Sequence, residues 1–354
     1  MTRYEDVRVV LSDPRFTRAL FYDGAPCLVQ PGDFSTGERS IVNLDPPDHS
    51  RLRRLAAQAF TARRIAALRP MIQRYTDELL DAMTGQAQPV DLVEHFAFPL
   101  PTAVMCEILG VPFEGRERFR RWSQVLVTPL AYTPDLVEQA RAEGAQDMAE
   151  LVAGKRRHPG EDILSALVHA QADDDRLTDT ELIDLGSQLL FAGHETTVAL
   201  ISTGLVLLCL HPDQFAALRT DPDLAPSAVE EIMRYDGPVE NSLVRMALED
   251  VEVAGAVIKK GEGVVAMMSA ANRDARVFPE PQRFDIKRRD ATQLGFGHGI
   301  HFCLGAPLAR LTTEVALRGL VARFPALDLA ISPEEIVWRP PMTSRGPARL
   351  PIRW

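Results

Sequence analysis

Cysteine is scarce in this sequence, and its spacing carries no pattern. Cys27, Cys106, Cys209 and Cys303 are spread over 354 positions without a CxxC pair. That excludes a zinc site and a disulfide framework, and single thiols are expected in a reducing, cytoplasmic setting. Positive charge is in deficit too. The net charge is −10, which argues against nucleic acid as a partner. Long apolar runs are missing. Val198–Leu210, the most apolar stretch, is too short to span a bilayer, and MTRYEDVRVV has no apolar signal region, so no membrane is expected. There is no internal repeat, no low-complexity linker, and no flavin or iron–sulfur segment. What is present is ordinary globular composition, 46% hydrophobic and 25% charged, on a chain long enough for a large core.

From about 49 to 210 the apolar period is mostly 3.6, with breaks at Gly85, Gly110-Val111-Pro112, Pro129 to Pro134 and His158-Pro159-Gly160. Asp45-Pro46-Pro47-Asp48 opens the first helix of this half, since proline is tolerated in a first turn. Thr178-Asp179-Thr180-Glu181 is a capping-box pattern. The helix it starts is expected to reach Leu210, a length of roughly 45–50 Å. A helix that long, without heptads, must cross the middle of a large domain. Residues 226–236 and 304–323 read as further helices, and 3–12 as a strand tail entering a short helix. The runs 251–255 and 263–268 read as strands with a turn between them, and 345–354 as a last hairpin. Residues 15–44 and 279–302 are expected to be irregular. The expectation is one mainly α domain over 1–354 with a small β part.

Chemistry concentrates at Phe296-Gly297-His298-Gly299-Ile300-His301-Phe302-Cys303-Leu304-Gly305. Glycines permit positive φ and close backbone approach. Gly297, Gly299 and Gly305 could therefore wrap a loop around a planar group and aim N–H groups at the Cys303 sulfur. The helix that follows brings its positive end to that sulfur, favouring the thiolate, the form that ligates iron. Midway along the long helix lies Ala192-Gly193-His194-Glu195-Thr196-Thr197. Glycine weakens a helix interior, and the Thr196 hydroxyl can bond back to the Ala192 carbonyl. Together they could open a notch in which Glu195, an acid beside an alcohol, relays protons.

These motifs, in this order, resemble those of the cytochrome P450 family over nearly the whole chain. The resemblance implies the family fold, with haem b between the long helix and the cysteine loop. Cys303 would be the axial metal ligand, with Phe296, Gly297, His301 and Gly305 around it. Glu195 and Thr196 would be the catalytic acid–alcohol pair. His49, Arg53, Arg245 and His301 match the partners of the haem propionates. Glu231, Arg234 and Arg283 match a buried structural triad. By family position Phe191, Ala192, Asn241, Leu243 and Met342 face the substrate, a mostly apolar lining that suits a hydrophobic small molecule.

The implied activity is insertion of one oxygen atom of O2, by hydroxylation or epoxidation, as in actinobacterial members acting on polyketides, macrolides and other natural products. A peroxide-driven peroxygenase and a non-catalytic haem-binding recruitment protein are the competing readings, and Glu195-Thr196 argues against both. Electrons must come from outside, from NAD(P)H through a ferredoxin reductase and a ferredoxin. Arg51, Arg53, Arg54, Arg63, Arg64, Arg69 and Arg74, with no acid between 49 and 76, are a candidate docking surface for the acidic partner. The family's usual first helix and first strands are expected to be missing, leaving a sheet edge open. A monomer or weak oligomer is expected.

Overall fold

Helices dominate the computed structural model, which describes residues 1–21, 24–26, 40–112, 115–127, 132–172, 175–339 and 344–354. They are α1 (Tyr4–Ser12), α2 (Asp48–Ala59), α3 (Ala62–Ala67), α4 (Arg69–Thr84), α5 (Pro99–Leu109), α6 (Arg116–Val127), α7 (Pro134–Arg157) and α8 (Ile163–Val168). There follow α9 (Asp179–Leu210), α10 (Pro212–Thr220), α11 (Ala225–Asp236), α12 (Met268–Ala271) and α13 (Ala306–Arg323). Six of them, α4, α5, α7, α10, α11 and α13, carry proline in the first turn. There the missing N–H costs nothing and the fixed φ is already helical.

Helix α9 organises the larger core. Its capping box closes as the sequence predicts: Thr178 N–H donates to Glu181 Oε2 at 2.8 Å, and Glu181 N–H donates to Thr178 Oγ1 at 3.2 Å. Arg51 of α2 reaches the same carboxylate at 2.5 Å, so the start of α9 is also tied to α2. From Thr197 to Leu208 every residue is buried. Each large apolar side chain there contributes about 1.5–3 kcal/mol by leaving water. Helices α5, α7, α10, α11 and α13 pack around it. Close approach explains Gly204, where a Cβ would lie 2.9 Å from Ile232 Cδ1 of α11. By length and apolarity α9 could cross a membrane, yet 78% of its most apolar window is buried inside the fold. Its hydrophobicity therefore serves the core.

The β part departs from expectation in four places. Residues 15–44 contain a strand, β1 (Phe16–Thr17). Residues 4–12 are all helix, and strand-like bonding stops at Met1, which donates to the Val265 carbonyl and accepts from Met267 N–H, both at 2.8 Å. Strands β2 (Val90–Asp91), β3 (Gln171–Ala172), β4 (Asp175–Arg176), β5 (Arg245–Ala247), β6 (Val251–Val253), β7 (Ala256–Ile258), β8 (Gly263–Val264), β9 (Asp328–Leu329) and β10 (Pro351–Arg353) complete the set. The partner of β6 is β7, through a tight turn at Ala254-Gly255 with φ of 55° and 80°. Two positive φ values match the twist of a two-residue hairpin. The 263–268 run contributes β8, which pairs with β5, and β5 pairs with β1. The chain end makes no hairpin of its own: β10 lies between β2 and β9. For β1, β8 and β10 the partner strand lies well away in the sequence, and local patterning does not encode it, whereas β6 pairs with the strand next to it. Helix α1 and the β5–β8 region share a second, smaller core that includes Tyr4, Val7, Val253 and Phe278.

The scaffold pair Glu231–Arg234 is fully buried, each side chain 2% exposed, with two bonds of 2.7 and 2.8 Å. Its third member is not the Arg283 side chain. That side chain is 59% exposed and faces Glu280 and Asp285. Arg288, 9% exposed, approaches Glu231 at 3.3 Å instead. Arg283 contributes only its carbonyl, which accepts from Arg234 and Arg288 at 3.1 Å. The loop turns its backbone inward at 283 and its side chain outward. Arg234→Met, which strands a buried carboxylate, should cost about 3–5 kcal/mol. Arg288→Met should cost part of that, and Arg283→Ala should stay within about 0.5 kcal/mol. Urea unfolding of the three variants checks the ranking, and an Arg283→Ala loss as large as that of Arg288→Met would restore the original assignment.

Candidate functional site

The cysteine loop is shaped by its glycines. Gly297 and Gly299 have φ of 77° and 73°. At Gly299 a Cβ would also sit 2.6 Å from the Leu11 carbonyl oxygen of α1, so only glycine fits. Cys303 N–H donates to the Phe296 carbonyl at 2.9 Å and closes the loop. Gly305 differs: its φ is ordinary and a Cβ there would meet no protein atom within 4 Å. Its glycine answers to open space beside the loop rather than to packing.

Cys303 itself presents an open surface at the head of α13 although protein atoms crowd around it. Burial pushes its thiol up. The amides of Gly305 and Ala306 and the charges of Arg53 and Arg310 pull it down, but burial wins. The expected bias of the following helix toward thiolate is therefore present and outweighed. A metal cation bonded to the sulfur would make the thiolate the stable form here.

Four bases gather beside this loop. His49 and Arg53 share one face of α2, Arg245 begins β5, and His301 precedes Cys303 by two. The His49 and His301 rings lie 4.3 Å apart. Arg53 donates to the Phe302 carbonyl at 2.6 Å. Burial, with the charges of His49, Arg245, Arg18 and Arg53, pushes His301 down to about 3. Burial likewise lowers His49, and brings Arg245, only 5% exposed, to about 10. His49 Nδ1, Arg245 Nε and His301 Nε2 are enclosed without a partner. Among the described residues neither Arg53 nor Arg245 meets a carboxylate at ion-pair distance. Two guanidiniums and two imidazoles gathered here, with Arg245 buried and donors unused, call for anionic groups from elsewhere. Two carboxylates carried by a planar group whose metal is ligated by Cys303 satisfy that need, so the residues present fit a haem.

The long helix has an open patch at the expected place. Ala192 is exposed and Thr196 half-buried, just before the fully buried stretch of α9, and the two share one face. Thr196 Oγ1 donates to the Ala192 carbonyl at 2.7 Å, and Thr197 Oγ1 to that of Gly193 at 2.9 Å. Helix α9 nevertheless stays continuous, so the expected notch involves no break in the α-helix. Glu195 is buried, with Arg339 Nη1 at 3.6 Å from its Oε1. His194 points into the core against Phe98, ring centroids 4.5 Å apart, and burial holds it at about 4.

Of the residues expected to face substrate, Phe191 and Leu243 are half-buried, and Asn241 bridges to Met267. Met342 lies outside the described residues, as does Cys27. The basic stretch is less free than its composition suggests. Arg51 is bound by Asp175 and Glu181, Arg69 by Glu314 and Arg74 by Glu78. Arg53 faces the cysteine loop. Arg63 and Arg64 remain exposed. Sequence reasoning missed Arg18, Asp45, Arg288 and Arg339, whose partners are distant in the chain. Arg18 is buried and Asp45 accepts from its N–H at 3.0 Å, beside the base cluster.

The family model described as Cytochrome P450 matches residues 115–341. Cytochrome P450 107B1 of Saccharopolyspora erythraea is 45% identical over 100% of this chain and 88% of its own. The 6-deoxyerythronolide B hydroxylase of the same organism is 47% identical over 87% of this chain and 76% of its own. Among solved structures, the LnmA hydroxylase of the leinamycin biosynthetic pathway of Streptomyces atroolivaceus superposes with a TM-score of 0.92. It is 44% identical, and the match covers 100% of this chain and 89% of that one.

His194 sets a pH dependence. Its basicity is depressed by folding, so its contribution to stability is complete above its ordinary value of 6.5 and is lost as pH falls toward 4. His194→Phe should flatten the loss of urea resistance between pH 6.5 and 4. An unchanged acid slope would show that the ring is protonated in the folded state at little cost.

Proposed function

The chain belongs to the cytochrome P450 family and is a haem-thiolate monooxygenase, and we propose that it oxidises a hydrophobic natural product of polyketide or macrolide type. The observation that carries the reading is the juxtaposition of Cys303 with the bases His49, Arg53, Arg245 and His301, which meet no carboxylate at ion-pair distance among the described residues. When bound, haem supplies the iron at which dioxygen is reduced and its O–O bond cleaved. Cys303 Sγ would hold the iron, and Phe296, Gly297 and Gly305 shape the loop around it. His49, Arg53, Arg245 and His301 would hold the propionates.

Proton delivery falls to α9. Thr196 Oγ1 rests on the Ala192 carbonyl, and rotation about the Cα–Cβ bond frees that hydrogen bond for a group in the cavity. Glu195, the neighbouring acid, would take up protons that originate in solvent and pass them to Thr196 Oγ1. Burial of Glu195 limits direct access of bulk water to that carboxylate. The apolar surroundings of Phe191, Ala192 and Leu243 favour a hydrophobic substrate, and Asn241 offers a polar contact to orient it. The relative named for hydroxylating 6-deoxyerythronolide B supports the substrate class. Electrons come from NAD(P)H through a ferredoxin reductase and a ferredoxin, which docks near the exposed Arg63 and Arg64.

Cys303→Ala should abolish the red-shifted Soret band of the reduced carbon monoxide complex, and a retained band would remove the ligand assignment. Glu195→Gln and Thr196→Ala should keep that band yet slow ferredoxin-driven turnover roughly 100-fold, the lower end of acid–base effects. Arg245→Met should loosen haem roughly 10–100-fold, the loss of one or two charge-assisted hydrogen bonds. Haem content per protein, with an unchanged far-ultraviolet spectrum, checks it.

A further inference from the structure

Arg339 is an unassigned cation beside the acid of α9. It lies just after Trp338, whose backbone bridges to Pro347. Arg339 N–H donates to the Gly346 carbonyl at 2.8 Å. Gly346 in turn presses on α9, where a Cβ would stand 2.8 Å from Ala199 Cβ and 3.0 Å from Ala199 Cα. Ala199 is one turn beyond Glu195. The backbone that carries Arg339 is therefore clamped to the helix at the level of the acid, with no side chain between them.

The guanidinium has one carboxylate at ion-pair distance among the described residues, Glu195, with Nη1 to Oε1 at 3.6 Å. The Glu195 side chain is buried, 7% exposed, and that of Arg339 is largely covered, 14% exposed. Nε and Nη2 of Arg339 are enclosed without a partner. An arginine placed there for stability alone would be expected to use those donors. At 3.6 Å the pair is attractive without being locked by a hydrogen bond. Such a contact favours the ionised carboxylate by charge rather than by a hydrogen bond.

We propose that Arg339 is the positioning residue of the proton relay, holding Glu195 ionised and turned toward the C-terminal segment until it takes up a proton for Thr196. The proposal rests on the reading of Glu195 as the acid. His194, the other titratable neighbour, stays neutral and does not compete.

The test uses the haem-loaded enzyme with its ferredoxin system, in four forms: wild type, Glu195→Gln, Arg339→Gln and the double variant. Arg339→Gln should leave the carbon monoxide band and the substrate-induced spin shift in place and slow turnover roughly tenfold, part of the acid–base effect. Its solvent deuterium isotope effect should rise, because proton uptake becomes limiting. Arg339→Lys should recover most of the rate. The double variant should be no slower than Glu195→Gln alone, and thermal unfolding of the four forms should show a non-additive coupling between the two sites. If Arg339→Gln does not retain haem, Arg339→Met, which keeps the stem packing without the charge, takes its place. Rates that multiply in the double variant, an unchanged isotope effect, or a lysine variant as slow as the glutamine one overturn the proposal. Full activity of Glu195→Gln would instead remove the relay itself, and is read separately.

Discussion

A single sulfur atom, fixed at the mouth of α13, sets the terms for the rest of the molecule. Cys303 must be close enough to protein to be held in one place and open enough on one side to bond a metal. The loop achieves this with two left-handed glycines and one backbone hydrogen bond from Cys303 N–H to the Phe296 carbonyl. The outcome is a thiol that its own surroundings disfavour as an anion. Burial of that kind has a purpose only if a positive partner is supplied, and the ligand completes what the fold leaves unbalanced.

The same incompleteness recurs around the loop. His49, Arg53, Arg245 and His301 come from three separate segments and are forced together in a poorly solvated space, where each makes it harder for the others to carry charge. A protein that gathers bases this way without supplying enough acids of its own has built a receptor for anions. On α9 the arrangement is different: the Thr196 hydroxyl is satisfied by the carbonyl of its own helix, and the Glu195 carboxylate has the Arg339 guanidinium beside it.

Much of this was legible without coordinates. The capping box at Thr178 and Glu181, the reach of α9 to Leu210, the Thr196-to-Ala192 bond and the His49–Arg53 spacing are local, and short-range patterns encode them. The errors share one cause. Arg283 was placed in the triad by its position in the chain, while the loop geometry turns Arg288 inward. The partners of β8 and β10 depend on which remote strand reaches them. The basic stretch looked free because the acids that neutralise Arg51, Arg69 and Arg74 lie outside it or follow it in the chain.

By itself the sequence determined the elements and the chemical alphabet: where helices begin, which glycines allow a left-handed loop, which cysteine, acid, alcohol and bases are available. Those follow from steric and hydrogen-bonding rules that act over a few residues. Tertiary structure decided which of them face one another. Only packing could enclose Cys303, strip water from Arg245 and set Arg339 against Glu195. Burial and long-range proximity belong to the assembled core, and they govern how readily each group carries charge.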